Sequence, residues 1–287
     1  MLNLTHVRTY LAVIDEKGVR AAAKALALSP STVVEHIDQL EIDLGTRLVI
    51  RSRGATRVTT RGERFLPYAR ALIGTALRAR ELVGSPIVRL SASSNVGTYL
   101  LQQPLAAIRK KTGIEIELWI GSNHAVVERL MRGEADLAAT EWWDERRGYQ
   151  ATCWAREPLV VIVSPRHRWA KRKSIAIGEL DEEPMLGGEP GSGTGTLLRE
   201  RLGVVADRLR TVPGYGNTEA VKRAVRVGHG ASIVLAAAVN DEIASGQLVA
   251  LEIEGSRLCK DIWLVTSDHL PASSPSLSLV AALQSSD

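Results

Sequence analysis

The sequence predicts an α/β fold in three parts: a small helical N-terminal unit closed by a hairpin, one long helix, and a body of alternating strands and helices. Three observations predict it. Apolar residues recur at helical spacing through the first 45 positions, a hydrophobic seam continues at seven-residue intervals from Phe65, and from Ile87 onward short apolar runs alternate with helical patterns.

Composition sets the limits. A chain of 287 residues, 45% hydrophobic and 24% charged, can bury a sizeable core and is not disordered. Its longest apolar run, near residues 231–239, falls far short of the roughly 18–20 residues that span a bilayer, so no membrane segment is expected. The start, MLNLTHVRTY, lacks the pattern of a secretory signal, and Cys153 and Cys259 are the two cysteines. A cytoplasmic protein without a disulfide scaffold or structural zinc is the expectation. The net charge of +4 is unevenly spread: residues 1–86 hold 13 basic and 8 acidic side chains, against 23 and 24 in the remainder. A basic N-terminal unit on a near-neutral body points to a polyanionic partner for the first part alone, although a solvated basic surface without a partner has the same composition.

Val7, Leu11 and Ile14 set the first helix at i, i+4 and i+7, with Gly18 as its expected stop. A second, alanine-rich helix turns Val19, Ala22, Ala23 and Leu26 inward. Ser29 then caps a third helix, and Pro30 occupies the first helical position, where its missing N–H does no harm. Val33, Ile37, Leu40 and Leu44 form the buried stripe of this helix, which leaves Ser31, Thr32, Val34, Glu35, His36, Asp38 and Gln39 on or near its outer face; Gly45 stops it. Two short helices joined by a tight turn, the second presenting polar residues from its N-terminal half, make a helix-turn-helix, whose recognition helix enters the major groove of DNA.

Residues 48–50 and 57–59 flank R-S-R-G-A-T as the strands of a basic hairpin, a wing suited to phosphates beside the groove. Helical spacing alone also fits a three-helix core that touches no nucleic acid; the basic hairpin favours DNA. The expected DNA contacts are Ser31, Thr32, Val34, Glu35 and Gln39 on the recognition helix and Arg51, Arg53 and Arg57 on the wing. Val34 can meet a thymine methyl, and Glu35 can accept from cytosine N4. Thr60 opens T-R-G-E, read as a capping box with Glu63, and a helix over 61–83 follows. Phe65, Leu72 and Ala79 repeat at seven, as do Ala69, Ala76 and Val83, a seam suited to a second copy of the chain. Gly84, Ser85 and Pro86 break this helix, dividing the chain into residues 1–60, 61–86 and 87–287.

The ordered stretches A-A-K-A-L-A-L-S, L-E-I-D-L-G-T-R-L and V-T-T-R-G-E-R-F-L-P-Y-A-R together resemble the LysR-type transcriptional regulators, over the whole N-terminal unit and long helix. The resemblance implies an N-terminal winged helix-turn-helix, a long dimerisation linker helix and a two-lobed periplasmic-binding-protein-like effector domain. It implies as partners double-stranded promoter DNA, a small-molecule effector and further copies of the chain, as a homodimer or homotetramer. Two departures from the family pattern stand out. Pro30 and Ser31 follow the capping Ser where Gln and then Pro are common, and Val34 and Glu35 stand where a Ser and a basic or amide residue usually follow.

The body reads as strands over 88–93, 114–120 and 135–140 with helices over 98–111 and 125–132, an α/β layer with a parallel sheet. Residues 158–164 read as a crossover strand into a second lobe built from PMLGG, helices over 196–202 and 218–227, RLRTVPG and ASIVLAA; DIWLVTS returns, and a last helix follows Pro275. The lobes are expected at about 87–160 plus 266–287 and at 161–265. Ligands of such sheets bind where strands end and helix N-termini converge. Four stretches meet that description: Ser93, Ser94 and Asn95 with Thr98; Thr140 with Glu141; Gly191, Ser192, Gly193 and Thr194; and Asn217 with Thr218.

Hydroxyls, amides and backbone N–H groups there suit a small oxyanion or carboxylate. Plainer accounts exist: the glycine-rich stretch lacks the Gly-Lys-Ser/Thr ending of a phosphate loop, and Asn217 can simply cap a helix. Trp142 and Trp143 suit either a ligand or a subunit interface. No catalytic, metal or cofactor site is expected, because neither a G-x-S-x-G elbow nor metal-ligand spacing is present. An α/β enzyme acting on a small anionic substrate is the alternative, and it leaves the basic module without a role.

Overall fold

The computed structural model describes residues 1–52, 55–84, 87–188, 193–255 and 257–285, with the side chains of all but 51, 52, 55, 80–84, 202 and 205. They form two compact units: Met1–Ile87 with Glu128–Asp136, and Val88–Val127 with Leu137–Asp287.

In the first unit, α1 (Leu4–Asp15), α2 (Val19–Leu26) and α3 (Pro30–Leu44) precede a hairpin of β1 (Val49–Ser52) and β2 (Ala55–Val58), and α4 (Thr60–Gly84) follows. Asn3 caps α1 by accepting from the Thr5 N–H at 2.8 Å. The helix ends at Asp15 with Lys17 in the left-handed region, so the turn that the sequence assigns to Gly18 falls one residue earlier, and Gly18, extended, precedes α2. Ser29 caps α3 by accepting from the Thr32 N–H at 3.1 Å, and Gly45 closes it at φ 64°. Val33, Ile37 and Leu40 are fully buried against Val7, Tyr10 and Ala22. The fourth buried residue of α3 is Glu41, whereas Leu44 is half-buried.

Glu41 Oε1 accepts from the N–H groups of Leu48 at 2.7 Å and Val49 at 3.0 Å, so a buried carboxylate ties the hairpin to the recognition helix. The cap of α4 is Thr59 rather than Thr60. Its hydroxyl accepts from the Gly62 N–H at 3.0 Å while its carbonyl accepts from the Glu63 N–H at 2.8 Å. The reason is that Thr59 N–H bonds to Leu48 O at 2.9 Å, which holds this residue beside the hairpin as the helix starts. Gly62 is required there, since a Cβ would lie 2.2 Å from Leu48 O. Tyr10, whose hydroxyl donates to Gly62 O at 3.0 Å, seals the junction, and burial pushes its pKa up to about 12.

The seam expected along α4 divides. Phe65 and Ala69 pack into the core of the helical module, because three short helices need a fourth wall, while Tyr68, Leu72, Thr75 and Ala79 line an exposed stripe. Farther along, Gly74 approaches the Arg132 carbonyl so closely that a Cβ would lie 2.0 Å from it. Arg78 is buried and grips Asp136 through Nε at 2.9 Å and a terminal nitrogen at 2.5 Å. These contacts place Glu128–Asp136 in the first unit, although by sequence it lies inside the body.

The second unit contains β3 (Ile87–Ser93), a π-helical turn (Val96–Leu100), α5 (Gln102–Thr112), β4 (Glu115–Gly121), the start of α6 (Asn123–Met131), β5 (Leu137–Thr140) and β6 (Tyr149–Val163). It continues with β7 (Ser174–Ile175), β8 (Pro184–Leu186), α7 (Gly193–Leu202), β9 (Arg210–Val212), α8 (Thr218–Arg226) and β10 (Ser232–Leu235). It closes with α9 (Asn240–Ala244), β11 (Val249–Ile253), β12 (Cys259–Ser267) and α10 (Pro275–Gln284). The main sheet runs β4-β3-β5-β12-β6-β11-β7, with β10 also paired to β6, and β8 pairs with β9 separately.

The sheet is mixed rather than parallel. β3 and β5 run parallel, but β12 is antiparallel to both β5 and β6, and β6 is antiparallel to β10 and β11. The expected crossover strand is the end of a fifteen-residue strand whose first half pairs with β12. One core gathers Leu90, Leu105, Leu137, Leu264 and Leu279; another gathers Val161, Trp169, Leu198, Ile233 and Leu251. No helix among the described residues is long and apolar enough to cross a membrane.

Candidate functional site

Two surfaces hold the residues that the sequence singles out. On α3, Ser31, Glu35 and Gln39 are exposed, and Thr32 and Val34 are half-buried beside them. The Ser31 and Thr32 hydroxyls lie 2.7 and 2.9 Å from Ser29 Oγ, so the cap also orders the first turn of the outer face. Gln39 donates to Asp43 Oδ1 at 3.3 Å. Arg57 is exposed on β2. The backbone of Arg51 pairs with Thr56, while its side chain and the whole of Arg53 lie outside the described residues. His36 departs from expectation. It flanks the buried stripe, and its Nδ1 sits 2.9 Å from Thr9 Oγ1 with its ring 4.7 Å from that of His6, so it faces α1 rather than solvent.

In the second unit, a cavity of about 320 Å³ lies beside the ends of β3 and β5 and the starts of α6, α7 and α8. Eight of the expected effector residues line it: Ser93, Ser94, Asn95, Glu141, Gly193, Thr194, Asn217 and Thr218. Thr98 does not; the π-helical turn carries it to an exposed position. Thr140 does not either. It is the last residue of β5, fully buried with its hydroxyl unpartnered, because strand alternation points Glu141, not Thr140, at the cavity. Gly191 and Ser192 lie outside the described residues. Local chain geometry shapes the remaining wall: Gly187 and Gly188 follow β8 at φ 73° and 72°, a left-handed pair that side chains rarely tolerate.

Behind Glu141 and Thr194 of this wall lies a charge that sequence reasoning missed. Lys260, on β12 and 1% exposed, donates to Glu141 Oε2 at 2.6 Å and to Thr194 Oγ1 at 2.9 Å. Glu141 also accepts from Ser93 Oγ at 3.1 Å and from Asn95 Nδ2 at 3.3 Å. Burial pushes the Glu141 carboxyl up, but the Lys260 ammonium and these hydrogen bonds outweigh it and hold the group below the usual glutamate range. Its backbone N–H donates to Asn123 Oδ1 at 2.9 Å, and Asn123 in turn donates to the Trp142 carbonyl at 3.0 Å.

Two further bonds tie the turn after β3 to the start of α8. Thr218 donates to Asn95 Oδ1 at 2.7 Å, and Tyr99 donates to Glu219 Oε1 at 2.7 Å; burial and the Glu219 carboxylate raise the Tyr99 pKa. Asn217 both lines the cavity and caps α8, accepting from the Ala220 N–H at 2.9 Å. Chemically the site offers hydroxyls, amides, helix-start N–H groups and one buried ammonium. Among the described residues no group of three or more His, Cys, Asp or Glu side chains is placed to hold a metal ion.

Comparisons with known proteins cover both parts of the chain. Residues 4–63 match the family described as bacterial regulatory helix-turn-helix protein, lysR family, and residues 84–286 match the LysR substrate binding domain. The putative HTH-type transcriptional regulator protein PtxE of Stutzerimonas stutzeri is 40% identical over 197 residues, covering 68% of this chain and all of that protein. Among solved structures, ArgP from Mycobacterium tuberculosis superposes with a TM-score of 0.71 at 19% identity, covering 99% of this chain and 97% of that one. CbnR, a LysR family transcriptional regulator, gives 0.66 at 19%, covering 99% and 98%. PtxE and CbnR are described as transcriptional regulators, and the low identity of the two structures makes them evidence of fold. The chain belongs to the LysR family of DNA-binding transcriptional regulators, with an N-terminal helix-turn-helix and a C-terminal effector-binding domain.

Proposed function

We propose that the effector is a small anion, an oxyanion or a carboxylate, held in the cavity between the ends of β3 and β5 and the start of α7. The observation that carries this reading is the buried Lys260 ammonium, which holds the Glu141 carboxylate and Thr194 hydroxyl of the cavity wall beside the Ser93 and Asn95 donors. A small anion should raise the melting temperature of the full chain, since a ligand at about 100 times its Kd stabilises by about 2.7 kcal/mol. A thermal-shift screen of malonate, sulfate and phosphate tests this. The Ser93→Ala, Thr194→Ala double variant should lose the shift, and a shift that survives intact would place the site elsewhere.

In this reading the protein works in the cytoplasm on double-stranded promoter DNA. The α3 face of Ser31, Thr32, Val34, Glu35 and Gln39 lies along base edges, and Arg57, with Arg51 and Arg53 of the same hairpin, meets phosphates. The exposed stripe of Tyr68, Leu72, Thr75 and Ala79 on α4 supports a homodimer, or a homotetramer built from two, and the body divides into lobes at about 87–160 plus 266–287 and 161–265. Glu35 is exposed and repels phosphate, so Glu35→Gln should tighten binding to nonspecific duplex DNA. Filter binding or fluorescence anisotropy on unrelated duplexes checks it. Uniformly weaker binding would instead mean that the carboxylate makes a direct contact.

A further inference from the structure

We propose that Glu141 is a built-in rival of the effector: its carboxylate occupies the seat that the effector's own anionic group takes. The inference rests on the reading of the cavity as an anion site.

The seat is defined by its donors. Ser93 and Asn95 reach it from the end of β3, Lys260 from β12, and Thr194, bonded to Lys260, from α7. Three of these four residues belong to the set that the sequence marks for a ligand, yet Ser93, Asn95 and Lys260 all serve a carboxylate of the protein itself. A carboxylate-sized group therefore fits here, on the geometry shown. The backbone of Glu141 is fixed through its N–H on Asn123, so leaving the seat requires only side-chain rotation.

Lys260, 1% exposed, has no comparable freedom. Once Glu141 swings away, a buried ammonium stays behind without its counter-charge, which is strongly unfavourable unless another anion arrives. The exchange is therefore anion for anion, and neutral or cationic molecules gain nothing from it. Gly193, at the start of α7, lies beside the pair and presents no side chain to it. A Cβ there would lie 3.9 Å from Lys260 Nζ and 4.0 Å from Glu141 Oε2.

A tethered competitor weakens the apparent affinity by the fraction of time the seat is empty. The test is isothermal titration of the full chain with malonate, sulfate and phosphate. It compares the natural protein with Glu141→Gln, which keeps the size but not the charge, and Glu141→Asp, which retracts the carboxylate by one methylene. Glu141→Gln should bind at least ~10-fold more tightly, as expected for a seat open less than about a tenth of the time, with Glu141→Asp in between. If the natural protein binds an anion and Glu141→Gln binds it equally or more weakly, Glu141 is part of the holding wall; the rivalry is wrong while the anion site stands. If none of the three forms binds any of the anions, the anion reading fails and the rivalry with it. Should Glu141→Gln not melt cooperatively, the Glu141→Asp comparison decides, and unchanged or weaker binding there overturns the proposal.

Discussion

Replacing Lys260 with methionine should lower the free energy of unfolding of the effector-binding domain by about 3–5 kcal/mol, the usual consequence of removing one partner of a buried ion pair. The loss comes mostly from what stays behind, since Glu141, 10% exposed, must either keep a charge that nothing compensates or take up a proton. Adding Glu141→Leu to Lys260→Met should therefore restore much of the stability, because apolar replacement of a whole buried pair is often close to neutral. Urea unfolding of the natural protein, both single variants and the double variant measures the coupling. A double variant that is simply as unstable as the sum of the singles would mean that the two charges do not interact.

The same pair has a pH signature. The Glu141 carboxyl is depressed in the folded protein, so its contribution is fully present above the ordinary glutamate pKa of 4.5. It is lost as pH falls through the lower folded value. Unfolding free energies across the acid range should show this in the natural protein and not in the double variant.

The second large effect is expected in the DNA-binding unit. Glu41→Ala leaves the N–H groups of Leu48 and Val49 buried without an acceptor and should destabilise the module by about 3 kcal/mol, given two hydrogen bonds to a charged group. Glu41→Gln should be much milder, because one oxygen, Oε1, accepts both bonds and the amide carbonyl can replace it. Hydrogen exchange at the two amides, together with binding to duplex DNA, separates the outcomes. Unchanged protection of both amides in Glu41→Ala would show that the carboxylate does not hold the hairpin.

Much of this was legible in the sequence where structure is local. Ser29, Pro30 and Gly45 bound α3 because caps and left-handed turns depend on near neighbours, and the 3.6-residue period places Val33, Ile37 and Leu40 inside. Sequence and structure part where a distant partner decides. His36 turns inward for Thr9, 27 positions away, and Thr59 takes the cap from Thr60 because Leu48 holds it.

The mixed sheet is hidden from the sequence for a related reason. The first nine residues of β6, YQATCWARE, mix polar and charged with apolar residues without a clean two-residue period and resemble surface chain until β12 is laid against them. Lys260 had no signal at all in its own neighbourhood, since a lone lysine in a strand ordinarily faces water. Its burial is created by α7 and by Glu141, 66 and 119 positions away. Eight of the twelve expected effector positions line one cavity because the ends of parallel-type strands and helix starts converge by topology, while Thr98 and Thr140 were placed on the wrong side of a turn and of a strand.

The division of α3 into two faces has an evolutionary consequence. Val33, Ile37, Leu40 and Glu41 are buried in the module, while Ser31, Glu35 and Gln39 are exposed on the opposite side, Ser31 also meeting the capping Ser29. If that outer face reads DNA as proposed, mutation and selection can retune which promoters the helix visits without passing through an unfolded ancestor, and a regulator built this way can acquire a new regulon one outward side chain at a time.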